Sequence, residues 1–458
     1  MSSAMTTKDT GESALRRELG PIAAAAIVVN ATIGTGIFKK PAEVARQAGS
    51  IEAALLVWVF GAAVALAGAL CFAELSASMP RTGGIYEYLR RAWGPRLAFL
   101  YGWAKITLLL PSAVGSFALL AAESIAALAG WGSDPQRDAL VALWVIASCA
   151  GANLLGVHAS AVQQAVVTSV KYLGVVLLAV LGLLAPLAAS VEIPVPDPAP
   201  AFHEGPSAIG IFAALVAAMW AYDGWADLSS LAGETRDPSR TLPRALVLGT
   251  LAVGAAYLLA NVGYARVLGL EGLRRSTDGT GMAAAHVATL TLGAAGRALL
   301  AALVLVSCVG GCMASLLTNS RTFVPMATDG AFVPWLGRVW ERTGVPAHAI
   351  GVGAVLGTIY VSSRSFEQLT DAFVVGYFPF YALAVLGLFR MRRKEPDLPR
   401  PFRVPLHPLP AIVFLAGAAC VMAGALTGLD GSTAIAVIVI ALGIPASFIW
   451  RPPGGRTG

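Results

Sequence analysis

Three stretches of this chain put polar or conformationally costly residues inside apolar surroundings. Ile33-Gly34-Thr35-Gly36-Ile37-Phe38 sets two glycines around a threonine about halfway along an apolar segment that begins near Pro21. Each interior glycine costs roughly 1 kcal/mol of helix propensity relative to alanine. Irregular backbone at membrane depth survives only where protein buries it or where it lines a cavity. A helix that opens here frees N–H groups suited to a carboxylate and C=O groups suited to an ammonium, the two backbone charges of an amino acid. Alone, the glycines read equally as close-packing residues between membrane helices. The second stretch, Trp220-Ala221-Tyr222-Asp223-Gly224-Trp225, carries an ionisable side chain in mid-segment. A charge at the bilayer centre costs at least ~2.5 kcal/mol on insertion scales, so it normally faces a cavity or a partner. Asp223 either lines a pocket or satisfies a loosened turn. The third feature is Lys171, which a helix entering near Ser160 would carry ~16 Å into a ~30 Å apolar core. A lysine at that depth is neutral or supplied with acceptors. Opened carbonyls of the first segment and the hydroxyl of Ser307 are candidates. The lysine then acts as a structural cation or as a switch beside the site.

Such groups need membrane-spanning elements to position them, and the composition supplies these. The 458 residues are 57% hydrophobic and only 13% charged, with a mean hydropathy of +0.71. Soluble domains carry about 25% charged residues. Twelve spans are expected, at approximately 21–47, 52–79, 96–128, 138–155, 160–186, 207–233, 243–268, 297–327, 346–362, 366–390, 408–428 and 431–450. The chain is thus predicted to be an all-α membrane protein with one transmembrane domain over 21–450, flanked by tails at 1–20 and 451–458. The first twenty residues, polar and holding Arg16 and Arg17, do not have the pattern of a cleavable signal.

Spacing ties the first two stretches together. The glycine break falls in span one and the Asp223 break in span six, each opening a block of five spans. Paired interruptions at matching positions in two halves point to an inverted-repeat transporter. The repeats are expected at about 21–186 and 207–390, with 408–450 appended, and a substrate site between spans one and six. Lys and Arg fall mainly on one side of this arrangement, which places both termini in the cytoplasm of a cell inner or plasma membrane. The external connector near 187–206 is proline-rich and without Lys or Arg. The basic balance fits cytoplasmic loops facing anionic lipid, and no nucleic-acid partner is expected.

Other features read as structural. Lys105 lies near enough to a span end for tilt and snorkelling to carry its charge to the cytoplasmic interface. Pro111 and Pro325 are expected to kink their helices. A short interfacial helix is expected from Asp329-Gly330. The five cysteines all lie in apolar segments and are expected to be free thiols. No pair of histidines has metal-ligand spacing and no nucleophile–base motif is present, so neither metal, cofactor nor enzymatic activity is expected.

Four stretches taken in order carry a family resemblance. They are Gly34-Thr35-Gly36-Ile37-Phe38; Ala73-Glu74-Leu75 with Pro80-Arg81-Thr82-Gly83-Gly84-Ile85-Tyr86; Ala221 to Trp225 with Glu234 to Ala245; and Arg392-Arg393-Lys394-Glu395-Pro396 through Phe402. In this order and spacing the chain resembles the amino acid–polyamine–organocation transporter superfamily, and within it the L-type amino acid transporter branch. The resemblance implies a twelve-helix LeuT-type 5+5 inverted repeat with broken helices 1 and 6, working by alternating access. It implies that the amides of Gly34, Thr35 and Gly36 receive the substrate carboxylate. Carbonyls near Ile33 and around Trp220, Ala221, Tyr222, Asp223 and Gly224 would receive the ammonium. Trp220 matches an aromatic gate, Lys171 the family's span-five lysine and Ser307 its span-eight partner, standing where other transporters hold sodium. Asp223 departs from the small residue of many branch members, and similar acidic forms accompany cationic substrates. The loop 129–137 lacks the cysteine that joins animal members to a heavy chain, so no such disulfide-linked partner is expected. The expected function is sodium-independent exchange of neutral L-amino acids, with cationic L-amino acids left open as further substrates. Proton-coupled symport with Lys171 titrating is the alternative, and a membrane amino acid sensor is a third reading.

Overall fold

The computed structural model describes residues 19–132, 134–155, 157–185, 205–276, 282–427 and 431–449. The expected tails, apart from Leu19 and Gly20, and most of the proline-rich connector lie outside these residues. Long apolar runs without water must satisfy their backbone internally, and helices do so within one segment. Among the described residues the secondary structure is accordingly helical.

The first span is a bent pair, α1 (Pro21–Thr32) and α2 (Gly36–Ala48), whose axes differ by 42°. Then follow α3 (Ile51–Ser78), a short helix α4 (Ile85–Trp93), and a third span built from α5 (Pro95–Ala104), a π-helical turn Lys105–Leu109, and α6 (Leu110–Ala129). The fourth and fifth spans are α7 (Pro135–Leu154) and α8 (Val157–Leu184). The sixth joins α9 (Ala208–Tyr222) to a 3-10 segment Trp225–Glu234. The chain continues through α10 (Pro238–Arg275), α11 (Ala283–Ser320), α12 (Phe323–Thr328), α13 (Ala347–Val361), α14 (Phe366–Lys394), α15 (Leu409–Thr427) and α16 (Gly431–Ile449). Among the described residues, nine helices, or ten counting the bent pair as one, are long and apolar enough to cross a membrane. With the shorter α13 and α16 they match the twelve expected spans in order.

Glycine sets several boundaries. Gly269 and Gly293 take positive φ of 64°, so α10 and α11 each carry a kink near where the expected spans end or begin. A side chain at such angles is strained, and glycine is not. Pro111 acts differently from a simple kink. Lacking an N–H, it leaves the Thr107 carbonyl one turn earlier without its usual donor. That carbonyl accepts the Tyr360 hydroxyl at 2.5 Å, and the winding before the proline loosens into the π turn. Pro325 lies inside α12, just beyond the break at Arg321–Thr322. The expected interfacial helix after Asp329 is a correction. The segment holds only a four-residue 3-10 turn, Pro334–Gly337, and a small hairpin bridge between Trp340 and Val345. Its prolines and glycines at 334, 337, 344 and 346 do not sustain more.

The helices pack so that α10 lies along α3 and α8, while α1 nests between α8 and α10. The interior is lined by small residues that let backbones approach, as membrane helix pairs require. A Cβ on Gly182 would stand 2.9 Å from the Gly263 backbone. Outward faces expose Leu56, Phe60, Trp144, Leu173 and Leu299, which suits a lipid surround.

Candidate functional site

The two interruptions meet at the centre of the bundle. In the first, the Ile33 amide still reaches the Val29 carbonyl at 2.8 Å, but the Gly34 amide turns back to the Thr32 carbonyl at 2.8 Å. Regular winding resumes at Gly36. A helix leaves its leading amides without intrahelical acceptors; here those are the amides that follow Thr35. In the second, α9 ends at Tyr222, Asp223 is extended, and Gly224 adopts φ 111° before the 3-10 segment begins. The two breaks touch backbone to backbone. A Cβ on Gly36 would stand 2.4 Å from the Cα of Ala221, and one on Gly224 would stand 2.4 Å from the Ala31 carbonyl oxygen. Neither helix could open against the other with larger residues at these two positions.

A cavity of about 30 Å³ lies between the breaks. Gly34, Thr35, Gly36, Trp220, Asp223 and Gly224 lie on its wall. Phe117 and Phe373 complete an aromatic cover with Trp220, whose ring is edge-on to Phe373 at 5.1 Å and tilted against Phe117 at 6.2 Å. The Trp220 indole donates to the Thr35 hydroxyl at 3.2 Å, joining the two breaks directly. Asp223 accepts from the Tyr381 hydroxyl at 2.9 Å.

Three expected residues are not on that wall. Ile33 points away and offers its carbonyl to the opposite side. Ala221 forms the contact with Gly36. Tyr222 turns into the packing between α3 and α10, where its hydroxyl donates to the Trp58 carbonyl at 3.0 Å and its ring meets Trp58 and Tyr257. A helix presents successive residues about 100° apart, so three consecutive side chains cannot all face one cavity. The Gly34 amide, engaged with Thr32, likewise departs from the expected trio of free donors.

Lys171 and Ser307 stand behind the first break. The Lys171 ammonium donates to the carbonyls of Asn30 at 3.3 Å and Ile33 at 3.0 Å. Ser307 donates to the Gly34 carbonyl at 3.1 Å and reaches that of Ile33 at 3.4 Å. Carbonyls released by the break thus gain donors from α8 and α11. The Thr32 carbonyl takes the Tyr257 hydroxyl at 2.9 Å from α10.

Sequence reading missed Asp227, which also lines the cavity. Its signal was present, a second carboxylate one turn beyond Asp223 in the same span. Ser315 and Asn319, one turn apart on α11, were a weaker signal of the same kind. Lys105 is a correction. It is fully buried, donates to the hydroxyls of Tyr101 and Tyr377, and does not reach the interface. The π turn before Pro111 carries it inward; the proline was legible in the sequence, but as a kink and not as a loosened turn. Among the described residues no group of three or more His, Cys, Asp or Glu is placed to hold a metal ion.

A sequence model of the amino acid permease family matches residues 19–445. The chain is 28% identical to the serine/threonine exchanger SteT of Bacillus subtilis, over 97% of this chain and 98% of that one. It is 30% identical to the human b(0,+)-type amino acid transporter 1, over 86% of this chain and 80% of that one. It is 28% identical to the mouse large neutral amino acids transporter small subunit 2, over 96% and 82%. The fold is the twelve-helix LeuT-type architecture of the amino acid–polyamine–organocation superfamily, and the molecule is a multi-pass membrane transporter rather than an enzyme. With the match running through both interrupted spans and on into α16, the chain belongs to the amino acid permease family.

Proposed function

We propose that this protein exchanges amino acids across the membrane by alternating access, without sodium, and that it takes neutral and cationic L-amino acids. The observation that carries this reading is the cavity held between two mutually touching helix breaks, with a fixed ammonium on the carbonyls behind it. The substrate carboxylate would meet the amides at the start of α2, where unpaired N–H groups and the helix dipole favour an anion. The ammonium would meet backbone carbonyls of the two breaks, and Trp220 with Phe117 and Phe373 would cover the side chain. The Lys171 ammonium holds the Asn30 and Ile33 carbonyls that a bound alkali cation would otherwise use, which supports sodium independence. An exchanger named for serine and threonine and a b(0,+)-type amino acid transporter among the relatives support the neutral-plus-cationic range. A membrane-embedded chain with both termini in the cytoplasm and no disulfide-linked heavy chain completes the proposal, on the charge bias and the cysteine-free loop 129–137.

The cavity of about 30 Å³ is well below the roughly 150 Å³ of an apolar cavity that takes up one benzene. Loading therefore requires the breaks to separate, as alternating access demands. Counter-flow in proteoliposomes tests the reading. Protein preloaded with unlabelled amino acid should accumulate labelled serine, alanine or arginine in sodium-free buffer. No accumulation of any of the twenty amino acids, with or without sodium, would reject transport. Uptake driven by a pH gradient without internal amino acid would instead favour proton symport.

A further inference from the structure

The wall that α11 gives to the cavity holds a buried polar side chain that the exchange reading leaves unassigned. Gly311, Ser315 and Asn319 are spaced four residues apart on that helix, and all three line the cavity. Residues four apart share one helix face, so the three form a single stripe. Its eight residues of separation, at about 1.5 Å each, make it about 12 Å long. One end lies at the aromatic cover, since a Cβ on Gly311 would stand 2.6 Å from the Phe117 ring. The other end is Asn319, which is only 3% exposed. Among the described residues no group donates to Asn319 Oδ1.

The polar groups around it do not answer that oxygen. The Thr318 hydroxyl goes to the Ala314 carbonyl at 2.9 Å and reaches Asp227 Oδ2 at 3.4 Å. Asp223 and Asp227 share the cavity wall, and ionised carboxylates offer no proton to an amide oxygen. A buried acceptor without a donor is costly, and native interiors seldom keep one without a reason. A substrate that brings an N–H group removes the cost, and one that lacks it does not. Sites built in this way discriminate strongly by the presence of the donor. An amide oxygen carries no net charge, so its selection is by hydrogen bonding and not by the sign of the substrate. The exchange reading holds the substrate backbone at the breaks. A methyl side chain then ends close to them, and only a long side chain extends along the stripe.

We infer that Asn319 is a specificity-determining residue, whose amide oxygen accepts an N–H from the far end of a long substrate side chain. This deepens the exchange reading and rests on it. The substrate class it names is amino acids tipped with a guanidinium, a urea or a carboxamide, charged or neutral alike.

The test uses the full chain in proteoliposomes and measures the counter-flow KM for arginine, citrulline and alanine. Citrulline keeps the length and the terminal N–H groups of arginine without its charge. Asn319→Leu keeps the size of the side chain and removes both polar atoms. It should raise the KM for arginine and for citrulline about tenfold or more, which corresponds to about 1.4 kcal/mol of binding, and that for alanine less than about threefold. Asn319→Ala, which adds no bulk, should show the same pattern, and it decides alone if Asn319→Leu is not monodisperse in detergent. An equal change for all three substrates, or none, overturns the proposal. A loss for arginine that citrulline does not share overturns it too, because charge would then be what is read. Unsubstituted protein that moves none of the three rejects the exchange reading itself. Unsubstituted protein that moves alanine but not citrulline leaves exchange standing and overturns only the role of Asn319.

Discussion

At the scale of single residues, the site divides labour between side chains that face the cavity and side chains that answer the backbone behind it. Asp223 belongs to the first group, with one oxygen on the Tyr381 hydroxyl and the side chain on the cavity wall. Asp223→Gly is expected to raise the KM for arginine at least about tenfold and that for alanine less than about threefold, because a charge-assisted contact is lost from one substrate only. Parallel concentration series for the two amino acids check this, and equal effects would assign Asp223 to the turn instead. Lys171 belongs to the second group. Lys171→Met keeps much of the side-chain volume but removes the donor to two buried carbonyls. Unsatisfied buried carbonyls cost roughly 1–3 kcal/mol each, so exchange should fall at least about tenfold in a counter-flow assay. Lys171→Arg, which keeps the charge in a bulkier planar head, should not restore it, since Lys171 is fully buried and its single terminal nitrogen reaches both carbonyls. The depth of Lys171 was legible by counting residues along an apolar helix. The inward turn of Lys105 was not, because the same count placed it within reach of the interface and the π turn depends on contacts with Tyr360 and Tyr377 from distant spans.

At the scale of elements, the two broken helices define each other. Ile33 to Thr35 and Asp223 to Gly224 are irregular where the two spans cross, and glycine is required there by contact at Gly36 and by angle as well at Gly224. Gly36→Ala would push a methyl into the Ala221 backbone at 2.4 Å, closer than real side chains approach. Exchange is expected to be lost, and the melting temperature in detergent to fall by several degrees, as overpacking of a dense interior costs about 1–3 kcal/mol. A matched substitution at Gly132, where nothing lies within 4 Å, should leave both measurements near those of the unsubstituted protein. Sequence pattern found the crossing because glycine pairs and a lone aspartate are expensive in membrane helices. It overcounted the cavity residues, since Ala221 and Tyr222 share the motif with Asp223 but project to other faces.

At the scale of the whole molecule, ion pairs tie the bundle together at two levels away from the cavity. On one side, Lys39 of α2 pairs with Glu123 of α6 at 3.4 Å and Glu367 of α14 at 3.3 Å, and Lys40 pairs with Glu43 at 2.7 Å and Asp371 at 3.6 Å. On the other, buried Arg321 pairs with Glu234, and Glu74 accepts from Arg392 while lying 3.6 Å from Arg400. The first group joins α2, the second half of span one, to α6 and α14. Lys39→Ala with Lys40→Ala should make the cavity more accessible from that face. The check is the rate at which a membrane-impermeant thiol reagent labels Cys introduced at Ala113, which should rise about threefold or more in the double variant. No change would show that these pairs do not hold the face closed. Arg321→Ala should instead destabilise the fold, because it leaves the Glu234 carboxylate buried without its partner, at a cost of about 3–5 kcal/mol. Thermal unfolding followed by size-exclusion chromatography reads this loss.

The amino-acid sequence by itself determined that the chain is a helical membrane protein with twelve spans. It also determined that spans one and six are interrupted, and that Asp223 and Lys171 lie at depth. Each follows from a local cost that can be counted along the chain, whether apolar length, glycine propensity or charge in hydrocarbon. Tertiary structure decided which of the neighbouring side chains face the cavity, that Asp227 joins Asp223 there, and that Lys105 turns inward to Tyr377. Those outcomes depend on rotation about helix axes and on donors from spans hundreds of residues away, and neither is written in the order of one segment.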